Sequence, residues 1–292
     1  MIATVGLLGR RRWAGAVLLV AVLSPAVAAE SRQPEDSWKK TTRRWTETVE
    51  PGRRLLLVNP HGDVYARFGG YENQVEFVAT IQRIETSLPE LGIRFARVEE
   101  GLDAIVAPEA PSDPATPPVS GAESTRDRMD LAVFVPKGVA LRVRTAEGSM
   151  EIKGLQSDLD AESEKGEIRI SKVRGRVQAR SERGQIVAML ETGVTGERQE
   201  LSTRTGDIAV HLWEDANANV RMATSGQIGT DFSLQVERRR FEEPGKLALA
   251  VVGNGGPDIS LVSKRGNLRL LWMPRHFKRD AEEKPPEGAP AR

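Results

Sequence analysis

The run Leu159-Asp-Ala-Glu-Ser-Glu-Lys-Gly166-Glu-Ile-Arg-Ile170 decides how this chain folds. Apolar or small side chains stand at Leu159, Ala161 and Ser163, then at Ile168 and Ile170, with charged residues between them. A period of two on both sides of a turn marks strands with one buried face. At the centre, Ser163-x-x-Gly166 reads as a type I turn, with the hydroxyl at the first position and a glycine free to take positive φ at the fourth. The preceding unit repeats the frame with Leu141, Val143, Thr145, Gly148, Met150 and Ile152, and the following unit with Val177, Ala179, Ser181, Gly184, Ile186 and Ala188. The frame continues around Gly206 and Gly266, and it fits Gly62, with Leu55, Leu57 and Asn59 before it and Val64 and Ala66 after. Gly226 fits with a slip of one residue, Val220, Met222 and Thr224 standing closer to it. Helix is excluded, because the turn glycines come too often for a helix of ordinary length and β-branched residues recur at spacing two.

Repeats of about 18–22 residues, each strand, turn, strand, predict an all-β fold. The preferred arrangement is a solenoid (β-helix-like), in which the Ser and Thr before each turn stack as a ladder over a narrow aliphatic core. An antiparallel β-meander or sandwich is the alternative, since it buries the same parity and a type I turn with a left-handed glycine also connects hairpins. Outward positions carry Arg144, Glu162 and Arg180 in successive units, and Glu151 followed by Arg169. On rungs about 4.8 Å apart these are opposite-charge neighbours. Each exposed pair contributes only tenths of a kcal/mol, so the ladder serves solubility and register.

The ends of the chain differ from the repeats. Arg10-Arg-Arg12, the uncharged run Trp13 to Leu23 and Ala26-Val27-Ala28 predict a secretory signal peptide over residues 1–28, the apolar run being too short to span a bilayer. Its removal takes away three Arg and no acid, leaving 39 bases against 41 acids. Residues 29–44 read as a flexible lead-in, 45–273 as the β-strand-repeat domain and 274–292 as a disordered tail. Inside the domain, strands are expected from Trp45 to Val49, from Val75 to Ile81, from Ile93 to Val98 and from Leu102 to Val106. The prolines at 108, 111, 114, 117 and 118 predict an extended loop over 107–125 before Leu131-Ala-Val-Phe-Val135 resumes the sheet.

Three stretches together carry a resemblance: Leu55-Leu-Leu-Val-Asn-Pro-His-Gly-Asp-Val64; Leu131-Ala-Val-Phe-Val-Pro-Lys-Gly138; and Asp231-Phe-Ser-Leu234 followed by Gly253-Asn-Gly-Gly-Pro-Asp-Ile-Ser-Leu-Val-Ser-Lys-Arg-Gly-Asn-Leu268. In their order they resemble the bacterial putative-adhesin family of β-strand-repeat domains of unknown function, over about residues 45–273. The resemblance implies an exported, solenoid-like repeat domain and brings no functional residues with it. The long proline loop departs from a minimal member.

Composition narrows the chemistry. A formal charge of +1 exerts no bulk pull on nucleic acid or acidic membrane, though a local patch still can. With no cysteine there is no disulfide, zinc-thiolate site or thiol nucleophile. Hydrolase, metalloprotease, phosphate-loop and EF-hand motifs are absent, and no catalytic, cofactor-binding or metal-ligating residue is assigned. His61 reads as a turn residue, His211 as a surface residue beside Trp213 and Glu214, and His276 as part of the tail. Gly253 to Asp258 reads as a plain loop, because a strand rather than a helix follows it and it has no tandem copies. Arg238-Arg-Arg240 beside Phe241 is flanked by Glu237, Glu242 and Glu243, so its charge cancels locally. The expectation is an exported, non-catalytic cell-envelope protein, structural or binding, periplasmic or extracellular, whose partner is an envelope protein or a glycan rather than nucleic acid, with no membrane span after signal cleavage and no cofactor. An accessory sensor of envelope stress is the alternative. A glycan-active solenoid enzyme is a further one, for which Asp158, Asp160, Glu162 and Arg180 would have to converge in one groove.

Overall fold

A computed structural model describes residues 38–84, 90–109, 127–191 and 198–274, all within the unit spanning Asp36–Arg292. Its 21 elements are all strands. In chain order they are β1 (Trp38–Thr48), β2 (Arg54–His61), β3 (Val64–Phe68), β4 (Gln74–Ile84), β5 (Leu91–Val98), β6 (Gly101–Pro108) and β7 (Arg128–Val135). Through the repeats run β8 (Ala140–Glu147), β9 (Met150–Lys153), β10 (Leu159–Lys165), β11 (Ile168–Ser171), β12 (Val177–Arg183), β13 (Ile186–Leu190), β14 (Gln199–Thr205) and β15 (Ile208–Trp213). The chain closes with β16 (Ala218–Thr224), β17 (Ile228–Thr230), β18 (Gln235–Arg238), β19 (Lys246–Val252), β20 (Asp258–Ser263) and β21 (Leu268–Met273).

Each repeat glycine turns the chain from one sheet into the other. One sheet runs β1-β4-β7-β3-β9-β11-β13-β15-β21-β17, which we call the trailing sheet; the leading sheet runs β18-β19-β16-β20-β14-β12-β10-β8-β2-β6-β5. Inside the repeats every neighbour is parallel and in glycine register: Leu159 pairs with both Leu141 and Val177, and Ile168 with both Met150 and Ile186. At the ends the pairing turns antiparallel, β1 on β4 and β4 on β7 at one end, β18 on β19 and β19 on β16 at the other. The all-β expectation holds. The layers are two open, mixed sheets sharing one core, an arrangement that fits the sandwich alternative and does not by itself show the solenoid.

The core is thin because the two strands of a rung contribute only a few inward side chains, such as the apolar Leu159, Ala161, Ile168 and Ile170, all fully or almost fully buried, beside the hydroxyl of Ser163. Burying one such Leu or Ile contributes about 1.5–3 kcal/mol, and stacking identical positions keeps the column continuous. An aromatic pair packs at the end of the core formed by β4 and β5. There Phe77 of β4 meets Phe95 of β5 with ring centroids 5.2 Å apart. Two ion pairs tie the sheets together beside it, Arg97 to Glu47 at 2.9 Å and Arg43 to Glu109.

The positive φ expected of the corner glycine is present at Gly62, Gly148 and Gly166. Gly166 takes φ +145°, extended beyond the left-handed helical well, and the carbonyl of Gly148 lies where a Cβ would go. Gly184 has no positive φ in the restricted range, yet a Cβ on it would overlap the carbonyl of Gly166. Here close approach of one rung to the next excludes a side chain. The column runs Gly62, Gly148, Gly166, Gly184, Gly206, Gly266 and Gly226, each against the carbonyl of the one before.

Spatial order departs from chain order at two places. Strand β20 lies between β14 and β16, and β21 between β15 and β17, so the unit of Gly266 is inserted before that of Gly226. At the other end β2 lies between β6 and β8. The one-residue slip at Gly226 is real: Thr224 aligns with Ser263, one position nearer its glycine. The expected lead-in over 29–44 is corrected, because β1 begins at Trp38 and pairs along its whole length with β4. The expected loop over 107–125 starts later, since β6 runs to Pro108; residues 110–126 lie outside the described residues, as do the signal peptide, the tail from 275 and His276. Among the described residues no helix is long and apolar enough to cross a membrane.

Candidate binding face

Alternation places every second side chain of β8, β10, β12, β14 and β20 on the outer face of the leading sheet. Glu162 stands in register between Arg144 and Arg180, as expected, and its Oε2 lies 2.8 Å from Arg144 Nε. Arg142 pairs with Asp160 at 2.8 Å, and Arg204 with Glu182 at 2.8 Å. At the strand ends Lys165 donates to Glu147 and holds that carboxyl below the usual carboxylate range. The pairs of Glu162 and Glu182 line a shallow groove of about 490 Å³. Its floor keeps groups without partners among the described residues: the guanidinium of Arg180, the ammonium of Lys264, the carboxylate of Glu164 and the hydroxyl of Ser202.

Solved structures similar to this chain include three bacterial proteins. A putative cell adhesion protein from Clostridium sporogenes has 10% identity and a TM-score of 0.45, the match covering 80% of this chain and 100% of that one. A putative adhesin from Bacteroides fragilis has 14% identity and a TM-score of 0.35, covering 82% and 99%. A putative adhesin from Parabacteroides merdae has 11% identity and a TM-score of 0.26, covering 80% and 96%. No family model and no curated protein matches the chain.

Asp158, Asp160 and Glu162 share β10 and the turn before it but do not converge. Each faces its own arginine: Asp158 accepts from the Arg176 N–H at 2.9 Å, while Asp160 and Glu162 face Arg142 and Arg144. Glu151 and Arg169 are in register, yet each takes another partner, Arg67 at 2.7 Å and Glu167 at 2.7 Å. His61 ends β2, its Nδ1 4.0 Å from Glu147. His211 sits between Met189 and Leu271 on the outer face of the trailing sheet. Gly253 to Pro257 is a loop, as expected, while Asp258 opens β20; the loop is held by Asn219 Nδ2 donating to the Gly256 carbonyl at 2.9 Å. No cluster of three His, Cys, Asp or Glu able to hold a metal occurs among the described residues.

A second column went unnoticed in the sequence although its signal was present. The residue after each corner is often Asp or Asn, and its side chain accepts the backbone N–H of the next rung. Asp130 takes that of Asp63 at 2.9 Å, Asp63 that of Ser149 at 2.8 Å, Asp207 that of Asn267 at 2.8 Å and Asn267 that of Gln227 at 2.9 Å. The dipeptides Gly62-Asp63, Gly206-Asp207 and Gly266-Asn267 announce it. At one end of the column Arg128 bridges Asp63 at 2.6 Å and Asp130 at 2.7 Å, which raises its pKa further.

Tyr65 borders this pair and donates to Asp63 at 3.4 Å. Burial, then the charges of Asp63 and Asp130, push its phenol above the ordinary value near 10. The chain has two tyrosines, so a Tyr71→Phe variant isolates this one. Its phenolate absorbance should rise at higher pH than in a free tyrosine. Because the folded-state value is raised, Tyr65 contributes stability below the unfolded value that is lost as pH climbs through the folded one. A midpoint at or below that of free tyrosine would contradict the arrangement.

Proposed function

We propose that this protein is exported with residues 1–28 as its cleaved signal, and that it binds a partner in the cell envelope without catalysing a reaction. The outer face of the leading sheet is the binding surface. In this reading the repeats wind as a parallel coil with two strands per turn, which is supported by the alternation of consecutive strands between sheets and by their common register. The observation that carries the binding role is the groove in which Arg180, Lys264, Glu164 and Ser202 remain unpaired while neighbouring charges are matched. Cationic donors and a free carboxylate and hydroxyl in one shallow strip suit a chain of hydroxyls and carboxylates, which is the surface of an acidic glycan. The adhesin descriptions of the similar structures agree with this reading but do not carry it.

The test uses the protein recovered from the exported fraction of a bacterial host. Its mass should correspond to a chain starting at Ala29. Immobilised, it should retain acidic envelope polysaccharide, and Arg180→Ala with Lys264→Ala should weaken retention at least 10-fold, since one charge-assisted hydrogen bond contributes about 1.5–3 kcal/mol. Arg142→Ala, which disrupts a matched pair outside the groove, should change it little. Equal losses from both variants would refute the groove as the site.

A further inference from the structure

The stretch Arg238-Arg-Arg-Phe241 looks electrically silent in the sequence because three glutamates flank it, and the structure changes that account. Glu237 and Glu242 both turn to Arg239, at 3.6 and 3.4 Å, and Glu243 turns to Arg265 at 3.2 Å. All three acids are thereby committed to two arginines. The exposed side chains of Arg238 and Arg240 have no ion-pair or hydrogen-bond partner among the described residues. Next to them Phe241 is fully exposed at φ +66°, a conformation uncommon for a bulky side chain.

The loop bearing these residues joins β18 to β19 at the edge of the leading sheet, and its root is pinned. Arg239 N–H donates to the Gly245 carbonyl at 2.8 Å, and Gly245 N–H to Ser225 Oγ at 3.1 Å. The two edge strands add Val236, Leu249 and Val251, all exposed. An aromatic ring held out in solvent by an anchored loop, beside two uncompensated guanidinium groups, matches the layered chemistry of a lipid headgroup region. Apolar groups enter the acyl boundary there while cations stay at phosphate depth.

We infer that this loop docks the protein on an anionic lipid surface, Phe241 entering the interface and Arg238 and Arg240 meeting lipid phosphates. The site is separate from the groove and does not depend on its function. A soluble polyanion would use the two arginines, but it gives no role to the ring.

The test is flotation of the whole exported product with vesicles of phosphatidylcholine alone and of phosphatidylcholine mixed equally with phosphatidylglycerol. The protein should float with the mixed vesicles and not with the neutral ones. Arg238→Gln with Arg240→Gln should lower the partition coefficient about 30-fold, two charges near the surface acting at about 1 kcal/mol each. Phe241→Asn should lower it about 10-fold through lost apolar burial, while leaving thermal stability equal or higher because Asn accepts the left-handed conformation. Binding that ignores lipid charge would overturn the inference, as would full affinity in Phe241→Asn. Retention on a polyuronate column that needs the arginines but not Phe241 would assign the loop to an acidic glycan and equally overturn it.

Discussion

Gly184→Ala is expected to lower the stability of the fold by about 3 kcal/mol or more, one of the two largest single-residue effects foreseen for this chain. The added methyl would occupy the place of the Gly166 carbonyl, with the same peptide's carbon and the Ser181 hydroxyl also inside contact distance. That carbonyl belongs to backbone in a neighbouring rung, so no rotamer change relieves the clash. The rungs must separate or tilt, and parallel pairing on both sides resists either movement. Gly52→Ala is the control, because Gly52 has φ +82° and open space, with nothing within 4 Å of where its methyl would stand. Only left-handed strain applies there, about 1–2 kcal/mol. Urea unfolding of both variants separates crowding from conformational strain, and a Gly184→Ala cost no greater than that of Gly52→Ala would reject stacking as the reason for the glycine.

Ser263→Ala comes second, at about 2–4 kcal/mol. The Ser263 hydroxyl donates to the Gly206 carbonyl at 2.8 Å and accepts the Gly266 N–H at 2.8 Å, in a residue with no exposed surface. Alanine leaves both backbone groups buried without that partner, each costing about 1–3 kcal/mol less what relaxation recovers. The same column supplies its own contrast. Thr203 donates to the Gly184 carbonyl and Thr224 to that of Gly266, whereas the buried Ser181 hydroxyl has no partner among the described residues. Ser181→Ala should therefore be within about 0.5 kcal/mol of the parent or more stable. Equal costs at positions 181 and 263 would mean that the column acts by packing alone.

Much of this was legible because the repeat keeps a constant step. A unit length of 18 aligns Arg144, Glu162 and Arg180 without knowledge of the fold, and the 2.8 Å pair between Arg144 and Glu162 follows. The hydroxyl column was legible for the same reason. Glu151 shows the limit: its partner Arg67 lies 84 residues away, on a strand brought alongside by the insertion of β4 to β7 between two adjacent rungs. Local periodicity contains no term for that closure. The start of β1 is not legible in the sequence because Lys39 to Arg44, Lys-Lys-Thr-Thr-Arg-Arg, neither alternates nor carries an apolar residue, and its strand state comes from pairing with β4. Of the candidate face, the charged rows could be read from the sequence, but not which charges remain free. Arg180 and Arg144 occupy equivalent positions, and side-chain geometry alone leaves one matched and the other open.

By itself the sequence determined the all-β state, the parity of burial in the repeats and the position of the glycine corners, because alternation and a side-chain-free residue are local requirements. Only the tertiary structure decided that the unit of Gly266 stacks before that of Gly226, that each corner glycine faces the carbonyl of a neighbouring rung, and that three glutamates serve Arg239 and Arg265 while Arg238 and Arg240 go unmatched. Those outcomes depend on which rungs meet in space. Parallel pairing joins segments far apart in the chain, and the free energy that selects among such pairings comes from the assembled core and not from any one stretch of residues.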